Sequence, residues 1–135
     1  VEDKYEINKD EMNLIKYFSY EEIDEILSAD IVISFIKLEF YSLAEIFCKK
    51  LEKSSNKLYL LSTINYNLGN YADCIENANN CLSEYGLEGE DAIPFEYLKA
   101  LAFEKLGDTK TASICHKRIV SINPTFRNSR EKLVK

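Results

Sequence analysis

The sequence predicts an all-α protein, and three observations lead to that prediction. The 135 residues include only four glycines and two prolines, too few for an architecture rich in β-turns. Apolar residues recur at intervals of three and four along most of the chain, as on one face of an α-helix. A pattern of two short helices joined by a tight turn occurs three times in succession. We therefore expect a single domain over residues 1–135 that is built from stacked helix pairs.

Two flanking helices are predicted within residues 10–28. Asp10 is positioned to cap a short helix that ends at Tyr17. Ser19, followed three residues later by Glu22, fits a capping box in front of a second helix.

Three helix pairs follow, over about residues 29–54, 55–88 and 93–124. Their second helices are expected to begin at Tyr41, Tyr71 and Thr109. Gly69 and Gly107 mark the turn of the second and third pairs, whereas the first pair has no glycine at its turn. Asp108 is positioned to cap the helix that follows Gly107.

The remaining glycines and prolines mark the other boundaries. Residues 85–94 form the one long loop that the sequence predicts, with Pro94 opening the next helix. Pro124 closes the third pair, and residues 125–135 are predicted to form a terminal helix. The stretch 53–57 is predicted as a tight connection between the first two pairs.

Two stretches resemble the tetratricopeptide repeat family: LYLLSTINYNLGNYADCIENANNCL (58–82) and YLKALAFEKLGDTKTASICHKRIVSINP (97–124). Both have a small residue in the first helix, Leu-Gly at the turn and a small residue in the second helix. Starts that lie 30 and 38 residues apart straddle the family repeat of about 34. Lys99 departs from the pattern, since Leu is usual at its position. The resemblance implies a tetratricopeptide-like stack of about three antiparallel helix hairpins with flanking helices.

The charge is negative overall and uneven along the chain. A formal net charge of −6 disfavours nucleic acid as a partner. Residues 105–135, in contrast, carry eight basic and two acidic side chains. Two interpretations stand: an ordinary solvated surface, or a contact with an acidic protein or with the acidic start of a second copy. The predicted basic partner patch consists of Lys117, Arg118, Arg127, Arg130 and Lys132.

Cysteine usage favours a reducing compartment, the cytoplasm or the nucleus. The four cysteines form no CxxC pair, and the sequence predicts neither a leader nor membrane insertion by this chain. Cys74 and Cys81 lie seven residues apart on one helix face, as structural residues would. The one histidine, His116, directly follows Cys115, and adjacent helical side chains point about 100° apart. We therefore expect no metal site and no Cys-His pair for catalysis.

The sequence predicts a protein without enzymatic activity and without a cofactor. It contains no GxGxxG, GxxxxGK[ST], GxSxG or HExxH string, so phosphate cradles, nucleophile elbows and zinc-protease sites have no anchor. Its acidic runs lack the apolar shielding that a general acid needs.

The family resemblance also implies where a partner would bind. First helices line a concave groove in such arrays, and here the matching positions are Tyr59, Thr63, Tyr66, Asn67, Tyr97, Leu101 and Glu104. Tyrosine combines a large contact area with a polar tip, so a peptide or helix is a plausible ligand. The alternative is that these tyrosines pack against the neighbouring repeat.

A narrower resemblance concerns the N-terminal region of tetratricopeptide scaffold subunits of the anaphase-promoting complex, a ubiquitin ligase of the cell cycle. It depends on residues 40–78 and 116–134, although Arg127 stands where that family has Trp. The resemblance implies a non-catalytic scaffold in which two copies pair. The alternative function is a monomeric adaptor that binds a short peptide or helix in the tyrosine-lined groove, such as an organelle or co-chaperone-type adaptor.

Overall fold

All regular elements of the described chain are helical. The computed structural model describes residues 7, 9–18, 23–24 and 26–133, and it confirms the all-α prediction over them. Within these residues lie the helices α1 (Lys9–Tyr17), α2 (Ala29–Lys37), α3 (Tyr41–Lys50), α4 (Ser55–Asn67), α5 (Tyr71–Glu84), α6 (Ile93–Lys105) and α7 (Thr109–Ile122). Two 3₁₀ helices, Gly89–Ala92 and Ser129–Lys132, precede α6 and follow α7.

The chain divides into two compact units, Val1–Asn70 and Tyr71–Lys135. The first unit contains α1 to α4, and the second contains α5 to α7 with both 3₁₀ helices. The division falls in the turn of the second predicted helix pair. Each unit has buried apolar side chains of its own.

In the first unit, α3 packs on both α2 and α4, and α1 packs on α3. The rings of Phe35 and Phe47 meet edge to face with 5.1 Å between centroids. Phe18, which follows α1, meets Phe47 at 5.5 Å. Further buried members of this core are Ile23, Val32, Leu43, Ala44, Cys48, Leu60 and Ile64.

In the second unit, α6 lies between α5 and α7. Seven of its thirteen residues are buried, among them the charged Glu96 and Lys99. Small buried side chains at Cys74, Ala100 and Ala112 allow the three helices to approach closely. Because α6 has neighbours on two sides, its apolar residues do not segregate to one face.

The predicted starts of the second helices are confirmed, since α3, α5 and α7 begin at Tyr41, Tyr71 and Thr109. Asp108 caps α7 as expected: its carboxylate accepts from the Thr111 N–H at 3.1 Å. Ser54 caps α4 by accepting from the Lys57 N–H at 3.0 Å. As a result α4 already begins at Ser55, inside the stretch predicted as a connection.

Four helices end in the same hydrogen-bonded turn around a left-handed residue. After α4, the Asn70 N–H donates to the Asn65 carbonyl at 2.8 Å across Gly69, whose φ is +81°. The equivalent bonds after α2, α5 and α6 join Phe40 to Phe35, Leu87 to Leu82 and Asp108 to Phe103, at 2.8, 3.1 and 2.9 Å. Gly86 and Gly107 are the left-handed residues after α5 and α6. In the first pair this place is taken by Glu39, at φ +61°, so that pair has the same turn without a glycine.

The chain after α7 differs from the prediction. Instead of an α-helix over residues 125–135, the described part has turns followed by the 3₁₀ helix Ser129–Lys132. The Asn123 side chain accepts from the Thr125 N–H at 3.2 Å and from its hydroxyl at 3.1 Å, which stabilises a turn. Arg127 has a φ of +43°, which an α-helix does not accommodate.

The predicted capping box at Ser19 and Glu22 lies outside the described residues. A serine cap that the sequence analysis did not identify occurs at Ser28. Its hydroxyl accepts from the Ile31 N–H at 3.2 Å and begins α2.

Candidate functional site

The groove residues predicted on α4 form a neutral, half-buried face. Tyr59, Thr63 and Tyr66 are spaced by four and three residues, with Asn67 at the edge. The Thr63 hydroxyl donates to the Tyr59 carbonyl at 2.9 Å, and the Asn67 amide donates to the Thr63 carbonyl at 2.9 Å. These bonds leave the Thr63 oxygen and the Asn67 side-chain carbonyl with acceptor capacity. The face therefore combines aromatic area with acceptors from its own helix.

The groove residues predicted on α6 contact α7 and the chain that follows it. The Tyr97 ring lies edge to face with Phe126, with 5.4 Å between centroids. The Arg127 guanidinium lies 4.7 Å from the centre of the Tyr97 ring. A carboxylate oxygen of Glu104 lies 3.1 Å from Nε2 of His116. Leu101, which lies between Tyr97 and Glu104 along α6, is half-buried. Tyr97 therefore packs against the chain that follows α7.

The structure does not place the seven groove residues on one unit. Tyr59, Thr63, Tyr66 and Asn67 belong to the first unit, and Tyr97, Leu101 and Glu104 belong to the second. We treat the α4 face and the α6 face as separate surfaces.

All five residues of the predicted basic patch are exposed and lie in the second unit. Lys117 and Arg118 are on α7, and Arg127, Arg130 and Lys132 are in the segment after it. Two of the five have contacts within the unit: Arg127 stacks on Tyr97, and Arg118 donates to Glu96 at 3.4 Å. The side chains of Lys117, Arg130 and Lys132 are exposed to solvent.

His116 joins α6, α7 and the C-terminal segment. Its Nδ1 lies 2.9 Å from the Ser129 hydroxyl, and its Nε2 lies 3.1 Å from a Glu104 carboxylate oxygen. Because a carboxylate only accepts, we assign an Nε2 proton toward Glu104, and Nδ1 faces the Ser129 hydroxyl. Ser129 has 0 % exposure, so its hydroxyl fixes the segment and is not presented to a substrate. The sequence analysis did not identify this connection.

An ionic cluster with two buried members, Glu96 and Lys99, lies between α6 and α7. The same Glu96 carboxylate oxygen accepts from Lys99 at 3.3 Å and from Arg118 at 3.4 Å. Burial, with an additional effect of Glu96, raises the pKa of the neighbouring Cys115 thiol to about 11. The signal in the sequence was the charged Lys99 at a position where the pattern calls for an apolar residue, three residues after an acid.

Glu11 is a buried residue that the sequence analysis missed. It has 0 % exposure, and its carboxylate accepts from the Leu43 N–H, in the first turn of α3, at 2.8 Å. Phe40, which precedes α3, makes no side-chain cap of its own. Glu11 therefore caps a helix that begins 30 residues later in the sequence. Its spacing from Leu14, Ile15 and Phe18 places it on the apolar face of α1, and this spacing was the available signal.

The four cysteines are buried and unpaired with one another. Burial raises the pKa of Cys48 to about 11, and it raises the pKa of Cys81 as well. Such thiols remain protonated near neutral pH and are poor nucleophiles. Among the described residues, no three or more His, Cys, Asp or Glu side chains form a group that could hold a metal ion.

Comparisons of this chain with family models, with curated proteins and with solved structures find no match. In the part of the chain that the structure describes, none of the helices has both the length and the apolar composition needed to cross a membrane.

Proposed function

We propose that this chain is a non-catalytic protein–protein interaction module of the tetratricopeptide type. The observation that carries the proposal is the repeated turn. The same backbone hydrogen bond around a left-handed residue ends α2, α4 and α6, and the next helix begins two residues after that left-handed residue each time. This regularity of the turns, together with the packing of α2 on α3 and of α6 on α7, supports a repeated helix–turn–helix unit, as the repeat family requires.

The packing within each unit gives independent support. In the first unit α3 contacts the helix before it and the helix after it, and in the second unit α6 does the same. Stacked helix hairpins bury their apolar faces in this sequential way. Small residues at the contacts, such as Ala44 and Ala100, have 0 % exposure.

The narrower proposal, which is based on the resemblance of residues 40–78 and 116–134, is a scaffold subunit similar to those of the anaphase-promoting complex, acting in ubiquitin-ligase assembly in the cytoplasm or nucleus. Arg127 departs from that resemblance, because it stands where that family has Trp. Its guanidinium carbon lies 4.7 Å from the centre of the Tyr97 ring and 5.2 Å from the centre of the Phe126 ring. A guanidinium over aromatic rings makes cation–π contacts.

The α4 face favours a second candidate, a monomeric adaptor that binds a short peptide or helix. Its tyrosines provide contact area, and Thr63 and Asn67 have acceptors for a ligand's N–H groups. Light scattering of the purified chain separates the two candidates, because the paired scaffold is a dimer and the adaptor is a monomer.

The test of the proposed function is recovery of a protein partner. The full chain, used as bait in an extract of the source cells, should recover a protein in stoichiometric amount. Tyr59→Ala combined with Tyr66→Ala should abolish this recovery if α4 carries the contact. The matched control is Tyr17→Ala with Tyr85→Ala, which truncates two exposed tyrosines outside α4 and should recover the partner normally.

Far-UV circular dichroism of both variants shows whether the fold is retained. If the α4 variant loses helix, Tyr59→Phe with Tyr66→Phe keeps the rings and tests the hydroxyl groups alone. A chain that is fully folded and recovers no protein stoichiometrically at any bait concentration would contradict the proposed function.

A further inference from the structure

The outward face of α7 is cationic and has one apolar side chain at its centre. The helix TKTASICHKRIVSI contains no Asp or Glu. Lys110, Ile114, Lys117 and Arg118 follow at helical intervals and are all exposed, so they form one stripe. Ile114 is 47 % exposed and lies among these three basic side chains.

The segment after α7 carries further basic side chains and is held against the unit by a buried hydrogen bond. Ser129 is buried and bonded to His116, at 2.9 Å between the hydroxyl and Nδ1. Lys117 and Arg130 each directly follow one of these two bonded residues. The backbone of the segment is thus held in place before a partner binds, which lowers the entropic cost of association. We name the exposed residues of α7 and of residues 123–133 the C-terminal basic surface.

The positive charge of this surface is largely uncompensated. Residues 109–135 carry seven of the 17 basic side chains and one of the 23 acidic ones, so the rest of the chain has a formal charge of −12. Arg118 pairs with Glu96, whereas Lys117, Arg130 and Lys132 form no ion pair within the part of the chain that the structure describes. Surfaces without such a role usually intersperse the two signs of charge. A cluster of one sign favours a partner of the opposite sign.

The size of the surface favours a short acidic segment over an extended polyanion. A membrane plane or a nucleic-acid duplex reaches beyond a single stripe, and the same unit exposes Glu88, Glu90 and Asp91. These carboxylates repel an extended polyanion. A short peptide needs only the stripe itself, and repulsion from more distant acids is screened beyond about 8 Å at physiological salt.

We propose that the C-terminal basic surface binds a short acidic segment of a partner protein. Carboxylates of the segment pair with Lys117, Arg130 and Lys132, and one apolar side chain of the segment packs on Ile114. The inference rests on the proposed function as an interaction module and specifies the chemistry of one partner.

The test uses the full chain and a fluorescein-labelled peptide in which Glu and Asp flank a single Leu. Fluorescence anisotropy should show saturable binding that weakens as NaCl rises from about 50 to about 300 mM, because exposed ion pairs are screened. Arg130→Glu with Lys132→Glu should weaken binding about tenfold, since two attractive pairs become repulsive at up to about 1 kcal/mol each. Replacing the peptide's Leu with Ser should weaken binding severalfold.

The matched control is Lys9→Glu with Lys37→Glu, two exposed lysines of the first unit. It changes the net charge by the same amount and should leave binding nearly unchanged. If the Arg130 and Lys132 variant loses helix by circular dichroism, Lys117→Glu on α7 takes its place, with an expected loss of about threefold. Equal weakening by the control, or no weakening by either surface variant, overturns the proposal.

A different ligand of the C-terminal basic surface would be recognised by a different experimental result. If the chain instead binds phosphatidylserine vesicles or duplex DNA and not the peptide, and the Arg130 and Lys132 variant loses that binding, the proposal is overturned in favour of that polyanion. A chain that is dimeric by light scattering, and monomeric as the surface variant, assigns the surface to a second copy. If the peptide fails to bind while the α4 face still recovers a stoichiometric partner, only this inference fails. If no partner is recovered either, the proposed function fails with it.

Discussion

Replacing Gly107 with alanine tests whether a left-handed residue stabilises the turn within a helix pair. Gly107 has a φ of +84°, and an added Cβ would meet no atom within 4 Å. The cost is therefore that of the backbone alone, about 1 to 2 kcal/mol for an L-residue in this region. Alanine recovers about 0.4 to 1 kcal/mol by restricting the unfolded chain. We expect the free energy of unfolding to fall by about 1 kcal/mol.

Glu39 allows the converse substitution in the first unit. It already occupies the left-handed position, at φ +61°. Glu39→Gly removes the backbone strain, and the greater freedom of glycine in the unfolded chain offsets part of that gain. We expect the free energy of unfolding to rise by up to about 1 kcal/mol.

Urea unfolding followed by circular dichroism measures both effects. The urea concentration at the midpoint should change, while the m-value stays the same because neither substitution changes the surface exposed on unfolding. Gly107→Asn is the matched control at the same site, and it should cost less than alanine because asparagine adopts the left-handed conformation more readily. A loss of about 1 kcal/mol should lower the melting temperature by about 4 °C.

Two outcomes would refute the reasoning. One is a Gly107→Ala variant as stable as the natural chain, which would mean that this turn does not hold the left-handed conformation. The other is a Glu39→Gly variant that is clearly less stable, which would mean that the Glu39 side chain contributes more than its backbone costs.

The remaining predictions concern buried titratable groups. Glu11→Ala should lower the free energy of unfolding by about 2 kcal/mol, because the Leu43 N–H loses a charged acceptor at a buried site. Glu11→Gln, which keeps an acceptor oxygen, should lose less in the same urea assay, and an equal loss would contradict the capping role. Raising the pH from about 9 to about 11 should lower the urea midpoint, because burial raises the pKa of Cys48 and Cys115 from 9.0 to about 11, and the folded chain keeps protons that the unfolded chain releases. The decrease should be smaller in a chain with Cys48→Ala and Cys115→Ala, and an identical decrease in both chains would show that other groups cause it.

Local patterns were sufficient to predict most helix boundaries. Tyr41, Tyr71 and Thr109 begin helices because turn residues and a change of apolar stripe precede them, and both signals lie within a few residues. The exposure of Lys117 and Arg130 was predictable for an equally local reason, since unpaired charges remain in water. The turn at Glu39 was not predictable as left-handed, because only the rest of the pair compensates for its cost.

Contacts between segments far apart in the sequence could not be predicted from the local pattern of apolar and turn residues. The cap that Glu11 provides for Leu43 depends on how α1 packs on α3; the spacing within α1 indicates that Glu11 lies on its apolar face, but not which helix that face contacts. The same holds for residues 125–133, where a helix was expected. There the buried bond from Ser129 to His116, together with the stacking of Arg127 on Tyr97, favours turns. Tertiary contacts of this kind override local propensity.

The Glu11 cap has a consequence for how the chain can be shortened. Repeat boundaries drawn from the sequence would place the first cut before residue 29, and the resulting piece would keep every predicted helix pair. That piece would nevertheless lack the one carboxylate that accepts from the Leu43 N–H at the start of α3. The smallest fragment that retains its native contacts is therefore longer than the smallest fragment that contains all the repeats, and it must begin before Glu11.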